Sequence, residues 1–401
     1  MAKVAVNTGS IKVASQKTLG AILRETYADG MFESDIGIGV FKTGFPTLDY
    51  GLAFPVDIYK DDVWVRRDIH KGILMGSYMM IVGDSGTGKT TLGIQIASNI
   101  IRPYEHGVVY HFDLERACTN TRVMTTSRLP RSDFDIRNPN HRYILNQAPH
   151  DHEDIQRTIL RIYREKMANA DKYRITLDQC TEYGDPIVTM QPTVVLIDSI
   201  PMIGSTLELG NTKDEKKMEQ ALTQMDAAQS AGAFKRLIKM VLGPMKQANI
   251  ILIGISHIGT KISSNPMIHN KKDFRAMGQD EIIAGGKMNT YGATNIIRID
   301  RKSGKGYTTV DGDGFNGFDS VITIVKSRTT FDAKIVPMIY DCENGFDSIR
   351  SMIQYAIARG IITGNRASMK FTAEPDFKFT TTSLYKDIKA NPRILECLAK
   401  Y

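Results

Sequence analysis

Cysteine is scarce in this chain: Cys118, Cys180, Cys342 and Cys397 are the only four in 401 residues. No two form a C-x-x-C pair, which excludes a zinc ribbon and suits a reducing cytosol. The sequence also lacks any apolar run near the ~20 residues that a membrane-spanning helix requires. Its opening residues, Met-Ala-Lys-Val-Ala-Val, lack the apolar centre of a secretory signal, so a cytoplasmic location and no membrane partner are expected. There is no internal repeat and no low-complexity segment. Apolar residues make up 42% and charged residues 24%, ordinary values for a soluble globular protein. The formal net charge of +7 leans toward a polyanionic partner without specifying one.

What the chain does contain is concentrated between Met79 and Thr91. The apolar run Tyr78 to Val82 reads as a buried strand. Gly83, Asp84, Ser85, Gly86, Thr87, Gly88, Lys89 and Thr90 then fit the pattern G-x-x-x-x-G-K-[ST] without a mismatch. Leu92, Ile94, Ile96 and Ala97 continue a helix-compatible run that ends near Arg102 and Pro103. A glycine loop between strand and helix lets backbone N–H groups face one concavity, and the helix N-terminus adds partial positive charge. These loop residues and Thr91 are the candidate phosphate binders. Lys89 would reach the β- and γ-phosphates and Thr90 would ligate Mg²⁺, which makes the chain a nucleoside triphosphate binder.

Later strands supply the carboxylates. Val108 to Phe112 runs into Asp113-Leu114-Glu115-Arg116. In a parallel α/β sheet the C-terminal strand ends form the ligand edge, so Glu115 is the candidate base that orients an attacking water. Thr193 to Ile197 ends in Asp198-Ser199, an apolar strand placing Asp198 against the Mg²⁺ shell. A third strand, Ile250 to Ser256, ends at His257. Asn295–Asp300 and Val321–Val325 read as further strands, the second followed by Lys326-Ser327-Arg328. The fold class expected is α/β, a mostly parallel sheet flanked by helices.

Helices are expected over Ile155–Lys166 and Ala233–Gln247, the latter carrying Lys235, Arg236 and Lys239. Phe54–Asp68 reads as an inserted excursion, 169–191 as an inserted loop, and 204–224 as a loop or solvated helix. Residues 258–286 form a long cationic loop holding Lys261, Lys271, Lys272 and Arg275. Three parts result: an arm with one helix at 1–40, a core at 41–345, and a small α/β tail at 346–401 with helices over 349–356, 383–390 and 392–401.

Taken together, the chain resembles the RecA family of strand-exchange recombinases, closest to the phage UvsX type. The resemblance covers roughly 40–350. It rests on Thr43-Gly44 with Leu48-Asp49 ahead of Gly83–Thr91, on Phe112-Asp113-Leu114-Glu115, on Ile197-Asp198-Ser199, on Gly285-Gly286 with Tyr291 and Ala293, and on Val325-Lys326-Ser327-Arg328-Thr329. It implies a RecA-like P-loop ATPase core, ATP as the nucleotide, and Glu115 as the catalytic glutamate. The loops after Asp198 and His257 would bind DNA. Lys261 and Ile262 sit where the family uses a cation and an apolar wedge between bases. Lys239, Lys271, Lys272, Arg275 and Lys287 join them as candidate DNA contacts. Lys326 and Arg328 would enter the ATP site of a neighbouring subunit, which implies a head-to-tail helical filament.

His257 stands where the family has a γ-phosphate-sensing glutamine, and Arg122 where it has a tyrosine over the adenine. The acidic tail of bacterial RecA is lacking. The activity implied is DNA-dependent ATP hydrolysis with homologous pairing and strand exchange on single- and double-stranded DNA. A single-stranded-DNA-binding protein and a loading mediator are the further partners implied, and a viral origin would place it in a host cytoplasm. The alternatives are a ring-forming helicase, which the lack of a collar domain disfavours, and a DNA-coating filament protein without catalysis.

Overall fold

Contiguous apolar runs build the middle of a ten-stranded sheet. Its strands are β1 (Tyr78–Gly83), β2 (Val108–Asp113), β3 (Tyr143–Asn146), β4 (Thr193–Asp198), β5 (Ile250–Thr260), β6 (Glu281–Ile283), β7 (Asn295–Arg301), β8 (Gly317–Ser327), β9 (Ile335–Asp341) and β10 (Gly345–Asp347). Their order is β10-β9-β8-β7-β1-β5-β4-β2-β3, with β6 paired to β5. From β7 to β3 every neighbouring pair is parallel. The β7-to-β10 side and the β5–β6 pair are antiparallel. This computed structural model describes residues 38–204, 224–261, 272–302, 316–365, 367–380, 384 and 391–399. The expected arm helix, the 383–390 helix, most of 204–224, Ile262 and Lys271 lie outside them.

Every residue of β1 and β4 is buried, as expected for parallel strands covered on both faces. The covering helices are α1 (Lys89–Ile101), α2 (Asn120–Ser127), α3 (His152–Ala168), α4 (Gln224–Gln247), α5 (Lys287–Gly292) and α6 (Ser348–Ala358). A reciprocal capping box between Asp151 and Asp154 starts α3. On α4, Phe234, Leu237, Ile238, Val241 and Met245 recur at helical spacing and are buried. These side chains and Ile155 and Ile159 of α3 meet Val195 and Ile197 of β4 in one cluster.

Strand alternation sends the residues between to the other face. Leu196 and Ile255 approach Gly93 of α1, where an added Cβ would lie 3.1 and 3.2 Å from them. Asp198 shares the parity of Leu196, and His257 that of Ile255. The pleat therefore aims both toward the start of α1.

Several expectations are corrected. Residues 169–191 form a hairpin, Arg174–Cys180 with Pro186–Met190, not a loop. Its strands are half exposed and mix polar with apolar residues, so no period marks them. The excursion at 54–68 is also a hairpin, Phe54–Lys60 with Val63–His70. β5 does not stop at His257. It runs on to Thr260 because Ile258, Gly259 and Thr260 pair with β6, so the long loop is partly sheet. In the tail, α6 and a helix at Pro392–Ala399 enclose a three-stranded sheet, Ile362–Asn365, Ser368–Phe371 and Glu374–Phe379, around its own apolar cluster. Among the described residues no helix is long and apolar enough to cross a membrane.

Candidate functional site

The chain leaves β1 through α1 and re-enters the sheet at β2, past β5 and β4, while β7 lies on the other side of β1. Such a reversal opens a crevice at the C-terminal strand ends. The glycine loop sits there. Gly88, the N-cap of α1, has φ 90°, and a Cβ on it would press to 2.9 Å from the Tyr340 ring. Only glycine fits that backbone and that space. Having no side chain, it leaves the first-turn N–H groups of α1 uncapped and open to an anion. Thr87 Oγ1 and Lys89 Nζ both donate to the Asp84 carbonyl, at 2.9 and 2.6 Å. Burial lowers the Lys89 pKa, against the pull of Asp198, Glu115 and Asp84.

From the second residue of α1, Thr90 Oγ1 donates to Asp198 Oδ2 at 2.5 Å. Burial pushes the Asp198 carboxyl up to about 6, opposed by the Thr90 hydrogen bond and reinforced by Glu115 and Asp113. A buried carboxylate beside a hydroxyl, next to open helix N–H groups, is a donor set that fits Mg²⁺ with a polyphosphate; Thr90 and Asp198 would hold the ion.

Glu115 is brought alongside by the backbone. The Asp198 carbonyl accepts the N–H groups of Leu114 and Glu115, at 2.7 and 3.2 Å. Ser199 Oγ then donates to Glu115 Oε1 at 2.6 Å, and His257 Nε2 lies 3.2 Å from the same oxygen. Thus one carboxylate oxygen ties together the residues that follow β2, β4 and most of β5. Asp113 is a turn former instead. It is fully buried and accepts from Cys118 N at 2.9 Å and Gln147 Nε2 at 2.7 Å.

The other expected site residues lie apart from this cluster. Arg122 is exposed in the first turn of α2, its N–H bonded to the Thr119 cap at 3.2 Å. Lys326 Nζ donates to the carbonyls of Thr290, Tyr291 and Ala293 at 2.8, 3.1 and 2.8 Å, at the C-terminal end of α5. Arg328 Nη2 donates to Tyr291 O at 2.7 Å. Burial, with Arg328 adding, lowers the Lys326 pKa to about 8. Lys261 pairs with Asp273 at 2.9 Å. Lys239, Lys272 and Arg275 are exposed, and Lys287 opens α5.

Sequence reasoning missed two neighbours of the loop. Tyr340 Oη lies 3.4 Å from Thr91 Oγ1, and its ring stacks on Phe318 at 4.6 Å. Gln95 of α1 clasps β10, donating to Phe346 O at 3.2 Å and accepting from Phe346 N at 2.9 Å. Both depend on pairing across some 250 residues, for which no local pattern exists. A cavity of 920 Å³ opens elsewhere, beside Val108 and Thr193 at the N-terminal ends of β2 and β4. That is the wrong edge of a parallel sheet for this chemistry. The chain matches no protein-family model and no curated protein.

Proposed function

We propose that the chain is a RecA-like P-loop ATPase that polymerises on single-stranded DNA and catalyses homologous pairing and strand exchange. The observation that carries this reading is the convergence of Ser199 and His257 on one oxygen of Glu115. Ser199 opens the segment leading to 205–223, and His257 the one leading to 262–271. A water-orienting carboxylate held by residues just upstream of two chain segments is a means of coupling hydrolysis to whatever those segments grip.

Bound Mg²⁺–ATP would supply the phosphoanhydride whose cleavage resets the grip. Lys89 and the α1 N–H groups would bind the phosphates. Thr90 and Asp198 would hold the metal, and Glu115 would orient water and take its proton. His257 hands its position on through its carbonyl, which accepts the N–H of Ala284 at 2.9 Å, just past β6. Exposed Lys272 and Arg275 precede β6 in the chain and suit DNA phosphates. Arg328, exposed, is the better candidate to complete a neighbour's site, since the Lys326 ammonium already serves three carbonyls.

The test is ATP turnover with and without single-stranded DNA, together with a joint-molecule assay on duplex DNA. Stimulated turnover with joint molecules is expected. Turnover indifferent to DNA, with no joint molecules, would overturn the reading.

A further inference from the structure

A second donor set lies on the α1 face of the sheet, sharing Asp198. His111 of β2 is fully buried. Its Nδ1 is 3.0 Å from Tyr143 Oη, and its Nε2 has no hydrogen-bond partner. Buried polar atoms left unpartnered are uncommon and ask for an explanation. Cys118, in the turn between β2 and α2, is buried and free of any disulfide. Donor atoms of His111, Cys118 and Asp198 all lie within 4.8 Å of one another.

The surroundings suit a cation. In the tautomer whose Nδ1–H donates to Tyr143 Oη, Nε2 presents a lone pair, the usual outer-shell arrangement of a ligating histidine. Thr90 engages Asp198 Oδ2, which leaves Oδ1 for a second partner. Imidazole, thiolate and carboxylate together select an ion of borderline softness over the hard Mg²⁺. Tetrahedral bonds of about 2.0–2.3 Å require the donors to close by about an ångström.

We propose that His111, Cys118 and Asp198 form an inhibitory site for a thiophilic divalent cation such as Zn²⁺, with water as fourth ligand. Binding forms a metal–sulfur bond and releases the Cys118 proton to solvent. Asp198 is then drawn away from Thr90. That last consequence, loss of hydrolysis, rests on the proposed ATPase activity; binding of the ion does not.

The experiment uses the full chain with Cys180 and Cys342 replaced by serine, so that the more accessible thiols do not compete. Zn²⁺ affinity is measured against a chromophoric chelator, and Co²⁺ is used to read the thiolate charge-transfer band. One tight equivalent with that band is expected. Cys118→Ser should abolish the band, and His111→Gln should weaken binding at least ten-fold. In the unsubstituted chain, Zn²⁺ should slow alkylation of Cys118 relative to buried Cys397, a readout that needs no variant to fold. No tight equivalent, or Cys118 alkylation unchanged by Zn²⁺, overturns the site. Tight binding with Mg²⁺-supported turnover unaffected overturns the inhibitory role. If metal-free protein with Mg²⁺ shows no turnover at all, the ATPase reading fails and the ion site stands on its binding data.

Discussion

Glu115 shares one oxygen between Ser199 and His257, so under the proposed ATPase reading substitutions would separate hydrolysis from its coupling. His257→Ala should cut DNA-stimulated turnover roughly ten-fold and leave ATP affinity within about two-fold, as expected when one charge-assisted hydrogen bond to a catalytic group is lost. His257→Gln, which can still donate, should recover most of it. Steady-state kinetics with and without DNA checks both, and equal losses of basal and stimulated turnover would argue against a relay. A different carboxyl governs stability. Asp49 is buried, and Thr43 N and Oγ1 both donate to its Oδ1 at 2.8 Å. Burial raises its pKa from 3.8 to about 6, against those hydrogen bonds. The folded state thus holds its proton more tightly than the unfolded chain. The resulting stability is present below about pH 4 and is lost as pH rises through 6. Asn keeps the acceptor and carries no charge. Asp49→Asn should therefore gain stability over the native chain as pH rises from 4 to 7, by up to about 3 kcal/mol. Thermal melts at the two pH values test this; a gap independent of pH would refute it.

Helix α5 and the strand beside it form one element-scale device. Lys326 neutralises the carbonyl end of α5, and Arg328 bonds the same end from the surface. Lys326→Met leaves those carbonyls short of a donor, and should cost about 1–3 kcal/mol in a denaturant titration. Arg328→Ala should change stability by less than about 1 kcal/mol and lower turnover of the assembled protein about 100-fold or more, with nucleotide binding intact. Wild-type-like turnover would remove Arg328 from the chemistry. The segment between β5 and β6 presents Lys272 and Arg275, both exposed. Neutralising both should flatten the log–log salt dependence of DNA affinity by up to about two units, roughly one per lost phosphate contact. An unchanged slope would move the DNA path elsewhere. Elements of this kind were unevenly legible. β1, β4 and the first seven residues of β5 announce themselves because burial on both faces demands apolar runs. The Arg174–Met190 hairpin and the reach of β5 to Thr260 do not. The first is half exposed, and the second depends on a partner more than twenty residues away.

At the scale of the whole molecule, Arg328 bonds Tyr291 at the end of α5 rather than a residue of its own glycine loop. An active unit would then need more than one chain. Turnover should rise faster than linearly with protein at low concentration, and negative-stain microscopy with an ATP analogue and single-stranded DNA should show open helical filaments. Closed rings would favour a translocating helicase instead. The sequence by itself determined the glycine loop, the carboxylates at two strand ends and the α/β alternation, because local spacing and continuous burial leave their mark in neighbouring residues. Only the tertiary structure decided that Thr90 meets Asp198, that Ser199 and His257 share Glu115, and that Tyr340 covers Gly88. Those pairings follow from strand order and pleat parity across a ten-stranded sheet, which no window of sequence contains.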